Sequence, residues 1–210
     1  MSAVAVRTHP ELGSLLQHPW VLAARTEVLA PPSGARRARV RMIPSPAGLA
    51  QLRSRGKASL VAELAGSAPA LPDDPQSWRL VDDLDDTGLD EDDRLNRPRL
   101  RRVELRTDRE LEAHLLVPYD LQLFAGHFPG IPLLPGMTQV AWVVDLSRRH
   151  FAGIGPPAGI VAAKFRRLVR PGMELRLQVR WSDAGELQFE YQCGATTTAN
   201  GRLRLQTVDA

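Results

Sequence analysis

Apolar and polar residues alternate along much of the C-terminal half of the chain, a pattern typical of strands with one buried face. The alternation is clearest over residues 175–181 and returns over residues 187–193. Further segments are predicted as strands over residues 112–117, 160–170 and 203–205, with a loop over residues 194–201. Short strands joined by turns predict an antiparallel sheet.

One helix interrupts these strands. Residues 123–136 are broken repeatedly by glycine and proline, which predicts a tight loop, and apolar residues then recur at helical spacing from Met137 onward. The predicted apolar face of this helix consists of Met137, Val140, Ala141 and Val144. A long apolar helix followed by antiparallel strands predicts an α+β domain, helix on sheet, over residues 105–210.

Residues 1–104 have their own order of elements and are predicted to form a separate small α+β domain. The predicted elements are a short helix ending at Gln17, an extended segment over 20–29, a strand over 39–43, a helix capped by Ser45 and a strand over 78–81. The first two extended segments form a hairpin around a Pro/Gly break. An acidic run over 82–93 and a basic run over 94–102 follow, and are predicted to be a solvated loop.

Composition narrows the classes of function. With 43% apolar residues in 210, the chain can bury a core, and its net charge of +3 comes from 27 cations against 24 anions. No basic block is interleaved with aromatics, so nucleic-acid binding is not expected. The single Cys193 excludes an internal disulfide and a cysteine metal cluster, and the histidines have no metal-like spacing. Without a long apolar run or a signal pattern, a cytoplasmic protein with no membrane span and no metal is expected.

The N-terminal half resembles the C-terminal lid domain of AMP-forming acyl-CoA and acyl-ACP ligases. Its strand-strand-helix-strand order carries the resemblance, with His18-Pro19-Trp20-Val21, the helix around Arg55-Gly56-Lys57 and the strand at residues 78–82. In the family's terminal Gly-Lys loop, Asp93 stands in place of the glycine and Arg94 in place of the lysine. Because a guanidinium is not equivalent to an ammonium, and the large ATP-binding domain is absent from this sequence, no adenylating activity is expected. A separate adenylating ligase domain is a possible partner.

The C-terminal half resembles the hotdog-fold 3-hydroxyacyl-ACP dehydratases of the FabA/FabZ type. The active-site signature of that family is similar to Gly126-His127-Phe128-Pro129-Gly130, then Pro132, then Leu134-Pro135-Gly136. The segment from Lys164 to Gly172 looks like the family's later strand and turn. The resemblance implies a hotdog fold, a long central helix wrapped by an antiparallel sheet, and lyase activity on acyl thioesters in fatty-acid or polyene biosynthesis.

Gln139 and Trp142 are similar to the branch of the family that serves aryl-polyene and xanthomonadin-type pigments. In that branch, dehydratase and ligase segments can be fused. The two resemblances therefore support each other.

The resemblance also implies roles for individual residues. His127 is the expected base, since an imidazole titrates near neutral pH and can take a proton from the α-carbon. Gly136 is the expected donor to the thioester carbonyl, because the first N–H groups of a helix are unpaired and favour developing negative charge. The expected substrate-binding residues are Phe128, Pro129, Gly130, Pro135 and Trp142. The resemblance implies that the substrate arrives on the 4'-phosphopantetheine of an acyl carrier protein, and it implies no other cofactor. In that family the acid comes from the partner subunit's helix, so a homodimer is expected.

The acid is where the sequence departs from the family. Counted from the histidine, it falls at 127 + 14 = 141, and Ala141 cannot donate a proton. Asp145 lies one helical turn further on, displaced by about 5–6 Å, and is a candidate substitute. The alternative is a surface ion pair between Asp145 and Arg149. A non-catalytic acyl-ACP binding or scaffold partner, or a hotdog thioesterase, are therefore alternative functions.

Arg166, Arg167 and Arg170 form a predicted carrier-protein patch that would steer an acidic partner. Alternating arginines that simply face water explain the same residues equally well. Trp142 is also compatible with a core position.

Overall fold

The structure is a computed structural model, and it describes residues 5–7, 12–29, 37–85, 96–128 and 130–206. The chain divides into two compact units. The first consists of Met1–Leu95 and Pro118–Pro132, and the second of Asn96–Val117 and Leu133–Ala210. This division differs from the predicted boundary after residue 104, and it places the loop that carries His127 in the first unit.

The first unit contains a four-stranded sheet with the order β1-β2-β3-β4. Its elements are β1 (Ala5–Arg7), α1 (Leu12–Gln17), β2 (Val21–Leu29), β3 (Arg37–Pro44), α2 (Pro46–Ser67) and β4 (Trp78–Leu80). The strands β2 and β3 pair antiparallel, which confirms the predicted hairpin. Strands β3 and β4 are parallel, so α2 provides the crossover that a parallel pair requires.

Local signals fix the start of α2. The backbone N–H of Gly48 donates to the Oγ of Ser45 at 3.1 Å, and Pro46 occupies the first helical turn. The predicted cap at Ser45 is therefore confirmed, and it satisfies a donor that the helix itself cannot. In β4, Trp78 is fully buried, and its indole N–H donates to the carbonyl of Pro72 at 2.7 Å.

The second unit contains a six-stranded antiparallel sheet with the order β5-β6-β8-β9-β10-β7 and one long helix. Its elements are β5 (Arg99–Thr107), β6 (Glu110–Leu116), α3 (Gly136–His150), β7 (Pro157–Phe165), β8 (Glu174–Trp181), β9 (Glu186–Cys193) and β10 (Thr196–Leu205). The predicted α+β class is confirmed.

One buried tyrosine connects the helix to the sheet. Tyr191 on β9 is fully buried, and its hydroxyl donates to the carbonyl of Gln139 in α3 at 2.9 Å. Burial raises the pKa of the Tyr191 phenol far above its usual range, because a phenolate would be desolvated there. The hydroxyl therefore stays protonated and remains a donor to the helix.

Three predicted boundaries were wrong. The basic run is not entirely a loop, because Arg99–Thr107 forms β5, a mostly exposed edge strand whose charges pair across the sheet, as Arg106 does with Glu112. Residues 194–201 are mostly strand, since β10 begins at Thr196, pairs with β9 from that residue and pairs with β7 from Ala199 onward. β7 ends at Phe165 rather than at residue 170.

The cause of the early end of β7 is visible in the backbone hydrogen bonds. The N–H groups of Arg166 and Arg167 both donate to the carbonyl of Thr198, at 2.8 and 3.1 Å. Two consecutive donors on one acceptor turn the chain out of the ladder. Among the described residues, no helix is both long and apolar enough to cross a membrane.

Candidate active site

The loop around His127 is held by short turns on both sides. Before it, the residues Gln122–Ala125 form a 3-10 helix, and the N–H of Gly126 donates to the carbonyl of Leu123 at 3.3 Å. After it, Phe128 and Ile131 exchange backbone hydrogen bonds of 3.1 and 3.0 Å. The predicted tight loop is confirmed, and it fixes the backbone on which the imidazole stands.

The imidazole of His127 has one nitrogen withdrawn from solvent. Its Nδ1 is buried and has no hydrogen-bond partner among the described residues. The ring lies beside that of Phe128, with 4.4 Å between centroids and a tilt of 31°, and the peptide bond that joins the two residues is cis. Since buried polar atoms are nearly always paired, the unpaired ring nitrogen distinguishes His127 from an ordinary structural histidine.

In the second unit, helix α3 begins without a side-chain cap. Pro135 is the N-cap residue and gives the helix no side-chain hydrogen bond. Its carbonyl accepts from the N–H groups of Thr138 and Gln139 at 3.1 and 3.2 Å. The N–H of Gly136 belongs to the first turn, where intrahelical partners are lacking.

The packing of β7 leaves little room for a side chain at position 136. A Cβ on Gly136 would lie 2.6 Å from two ring atoms of Phe165, so any side chain would displace that ring. Glycine therefore keeps the start of α3 uncovered by a side chain of its own. This is the property that a backbone donor to a substrate carbonyl needs.

Helix α3 is apolar on two faces. The buried face is formed by Gln139, Val140, Trp142, Val143, Leu146 and Ser147. The predicted face is confirmed as a single face, because Met137, Val140, Ala141 and Val144 all line a groove of about 680 Å³ between α3 and the edge strand β7. Met137 and Ala141 are exposed there. Position 141, where the resemblance implies an acid, opens into this groove, which has Val144 and Ile160 on its walls.

Asp145 lies in the same groove but is already paired. Its Oδ2 is 3.0 Å from Nη2 of Arg149, one helical turn away, and both side chains are about 40% exposed. This is the ion pair that the sequence offered as the alternative to a catalytic role. One oxygen of the Asp145 carboxylate is therefore engaged by a side chain of its own helix.

The predicted substrate-binding residues lie in different settings. Phe128 is exposed in the first unit, where Gly130 takes a φ of +79°, and Pro129 lies outside the described residues. In the second unit, Pro135 is the helix N-cap, and Trp142 is 3% exposed with its indole N–H donating to the carbonyl of Asn96 at 2.8 Å. Trp142 thus has the surroundings of a core residue.

The predicted carrier-protein patch is exposed at two of its three positions. Arg166 and Arg167 face solvent, whereas Arg170 is half-buried. The substituted ligase positions, Asp93 and Arg94, lie outside the described residues.

Sequence reasoning missed one group in the first unit. Lys57 and Asp120 form an ion pair, with Nζ at 2.8 and 2.7 Å from the two carboxylate oxygens. The available signal was that Lys57 is one of only two lysines in an arginine-rich chain and follows Gly56 within a predicted helix.

A six-stranded antiparallel sheet, one long helix and a histidine loop immediately before that helix are the features of hotdog-fold acyl-thioester dehydratases. The chain belongs to the ApeI-like dehydratase family. The family model described as ApeI dehydratase matches residues 103–202. The structure of the dehydratase heterocomplex ApeI:P from Xenorhabdus doucetiae is 30% identical, with a TM-score of 0.50, and covers 52% of this chain and 97% of that one. The resemblance to hotdog dehydratases is confirmed; the ligase-lid resemblance of the N-terminal half stays a prediction.

The curated relatives that match part of this chain are also dehydratases. The 3-hydroxyacyl-[acyl-carrier-protein] dehydratase FabZ of Symbiobacterium thermophilum is 43% identical over 86 residues, 38% of this chain and 61% of that protein. The FabZ of Desulforamulus reducens is 49% identical over 63 residues, 27% of this chain and 44% of that protein. The chain therefore spans about half the length of the curated relatives that it matches.

Proposed function

We propose that the chain supplies the base half of a 3-hydroxyacyl-ACP dehydratase. The observation that carries the proposal is the unpaired, buried Nδ1 of His127 on a loop held by turns at both ends. Membership of the ApeI-like family and the similarity to proteins named 3-hydroxyacyl-[acyl-carrier-protein] dehydratases give the reaction class.

In the proposed reaction, the imidazole of His127 takes the proton from the α-carbon of a 3-hydroxyacyl thioester. The electrons of that C–H bond form the double bond, and the β-hydroxyl leaves with a proton from an acid, as water. The N–H of Gly136 holds the thioester carbonyl, where negative charge develops. The substrate's own pantetheine arm carries the acyl group, so the proposal needs no other cofactor.

The acid is proposed to come from a second hotdog subunit. In a homodimer of this chain, each site would meet Ala141 where a carboxylic acid is needed. A second subunit that carries Asp or Glu at the equivalent position would complete one site. The Xenorhabdus doucetiae relative is described as a dehydratase heterocomplex, and the exposed apolar face of α3 beside the edge strand β7 offers a surface for such a subunit.

The carrier protein is proposed to dock through positive charge. Arg166 and Arg167 are exposed at the end of β7, and an acidic carrier would be steered towards them. The docking role of Arg170 is less direct because its side chain is half-buried.

Hydrogen exchange at the α-carbon tests the base half alone. The chain is incubated in D₂O with a 3-hydroxyacyl-ACP, and the substrate mass is followed. Deuterium is expected to enter the α-position faster than with the His127→Ala variant, because proton abstraction needs the base and not the missing acid. No His127-dependent exchange would favour a non-catalytic acyl-ACP binding partner, and release of free acid would favour a thioesterase.

Asp145 provides a separate prediction. The Asp145→Asn variant is expected to leave α-exchange and any dehydration unchanged, and to lower the free energy of unfolding by no more than about 0.5 kcal/mol, the usual contribution of an exposed helical ion pair. Rates and thermal unfolding of the variant and of Arg149→Gln, which breaks the same pair, are compared. A hundredfold loss of dehydration in Asp145→Asn alone would make Asp145 the acid.

A further inference from the structure

Helix α2 is kinked at Gly56. Its backbone there has φ +76° and ψ 171°, which lies outside the helical region, and the helix resumes at Lys57. Only glycine adopts a positive φ of this kind without strain. The two consecutive residues at the kink both contact the segment 118–132 that carries His127.

Gly56 approaches that segment near its end, at Gly130. A Cβ on Gly56 would lie 3.2 Å from the Cα of Gly130, so a side chain there would have to push the Gly130 backbone away by a few tenths of an ångström. Gly130 itself has a positive φ. Both positions therefore require glycine, and together they fix the chain three residues after His127.

Lys57 contacts the same segment near its start, at Asp120. Its Nζ donates to both carboxylate oxygens of Asp120, at 2.8 and 2.7 Å, and to the carbonyl of Trp78 at 2.8 Å. Asp120 also accepts from the N–H of Leu80 at 3.4 Å. Burial lowers the pKa of Lys57, while the Asp120 carboxylate opposes that shift. All three ammonium protons have acceptors, so the carboxylate is held in one position seven residues before His127.

The residues between these two contacts are packed as well. Leu121 and Phe124 are buried, and Tyr119, the residue just before Asp120, packs against the core of the first unit. The segment from Asp120 to Gly130 is thus attached at both ends to one kink, with apolar anchors between.

We propose that the kink at Gly56 and Lys57 positions the base loop, and that Lys57 is a positioning residue for His127. The inference rests on the proposed function for its catalytic meaning. It gives the helix of the first unit a task in the proposed reaction, which is to hold the loop that carries the base.

The test uses the full chain with Lys57→Met, which keeps the apolar stem and removes the charge. Hydrogen–deuterium exchange of peptides within 121–131 is expected to rise roughly tenfold or more, because the loop opens locally. The imidazole signal of His127, read by nuclear magnetic resonance with isotope-labelled histidine, is expected to shift. In the Ala141→Asp background, kcat should fall roughly tenfold with little change in KM, because the base is misplaced rather than the substrate unbound.

Arg55→Met is the matched control. Arg55 lies two residues away on the same helix, and its pair with Glu63 at 3.2 Å is about half exposed, so loop exchange, the His127 signal and kcat should stay at wild-type values.

Asp120→Asn is the second variant, to be used if Lys57→Met does not fold. The same changes in loop exchange, His127 signal and kcat are expected, but smaller. An unchanged loop and an unchanged His127 signal in the folded variants would overturn the inference, as would a loosened loop with an unmoved His127 signal. If the His127 signal shifts clearly but neither the wild type nor any variant dehydrates the substrate, the proposed function is overturned while the positioning role of the kink stays supported.

Discussion

Replacement of Ala141 by aspartate is expected to raise the dehydration rate of the chain by roughly a hundredfold or more, the usual effect of a positioned general acid. Position 141 is exposed in the groove beside β7, so a carboxyl group can be added there without displacing core residues. In the predicted homodimer, the change would supply an acid to both sites. The rate is measured as enoyl-ACP formed from 3-hydroxyacyl-ACP by mass spectrometry.

Val144→Asp is the control for this gain. It introduces the same carboxyl group into the same groove, about one helical turn away from position 141. Its rate is expected to equal that of the wild type. A wild-type chain that already turns over as fast as Ala141→Asp would show that position 141 does not limit the reaction.

Replacement of His127 by alanine in the Ala141→Asp background is expected to lower kcat by about a hundredfold to ten-thousandfold, the range measured for loss of a general base. The loop is held by its own backbone turns and by buried neighbours, so the fold should survive the change. Comparison with His114→Ala, an exposed histidine on β6, separates loss of the base from a general effect of removing an imidazole. Equal rates for the variant with and without His127 would remove this residue from the mechanism.

Much of the fold follows from local signals. The serine and proline at the start of α2 and the alternation along β8 and β9 are short-range features, and the structure confirms each of them. Strand β5 was missed because an edge strand buries little, so its charges hide the alternation. The start of β10 was missed because its polar residues show no apolar alternation, and its pairing with β7 joins strands that are far apart in the sequence.

Some features of the candidate site also follow from local sequence, whereas others depend on the folded chain. His127 and Gly136 could be found because their motif is contiguous. The ion pair between Lys57 and Asp120 joins residues 63 positions apart, and only the folded first unit brings them together. The pairing of Asp145 with Arg149 followed from i,i+4 spacing, since that distance is set by the helix alone.

A mixing experiment tests the central claim, that this chain provides a base and needs its acid from another subunit. Wild-type chain carries His127 without an acid, and the double variant His127→Ala/Ala141→Asp carries an acid without the base. Each is confirmed as a dimer by light scattering, and the two are then mixed and allowed to exchange subunits. We predict that enoyl-ACP formation appears only in the mixture, well above that of either protein alone. A mixture no more active than the wild type, with Ala141→Asp fully active by itself, would place the acid and the base in the same subunit and contradict the claim.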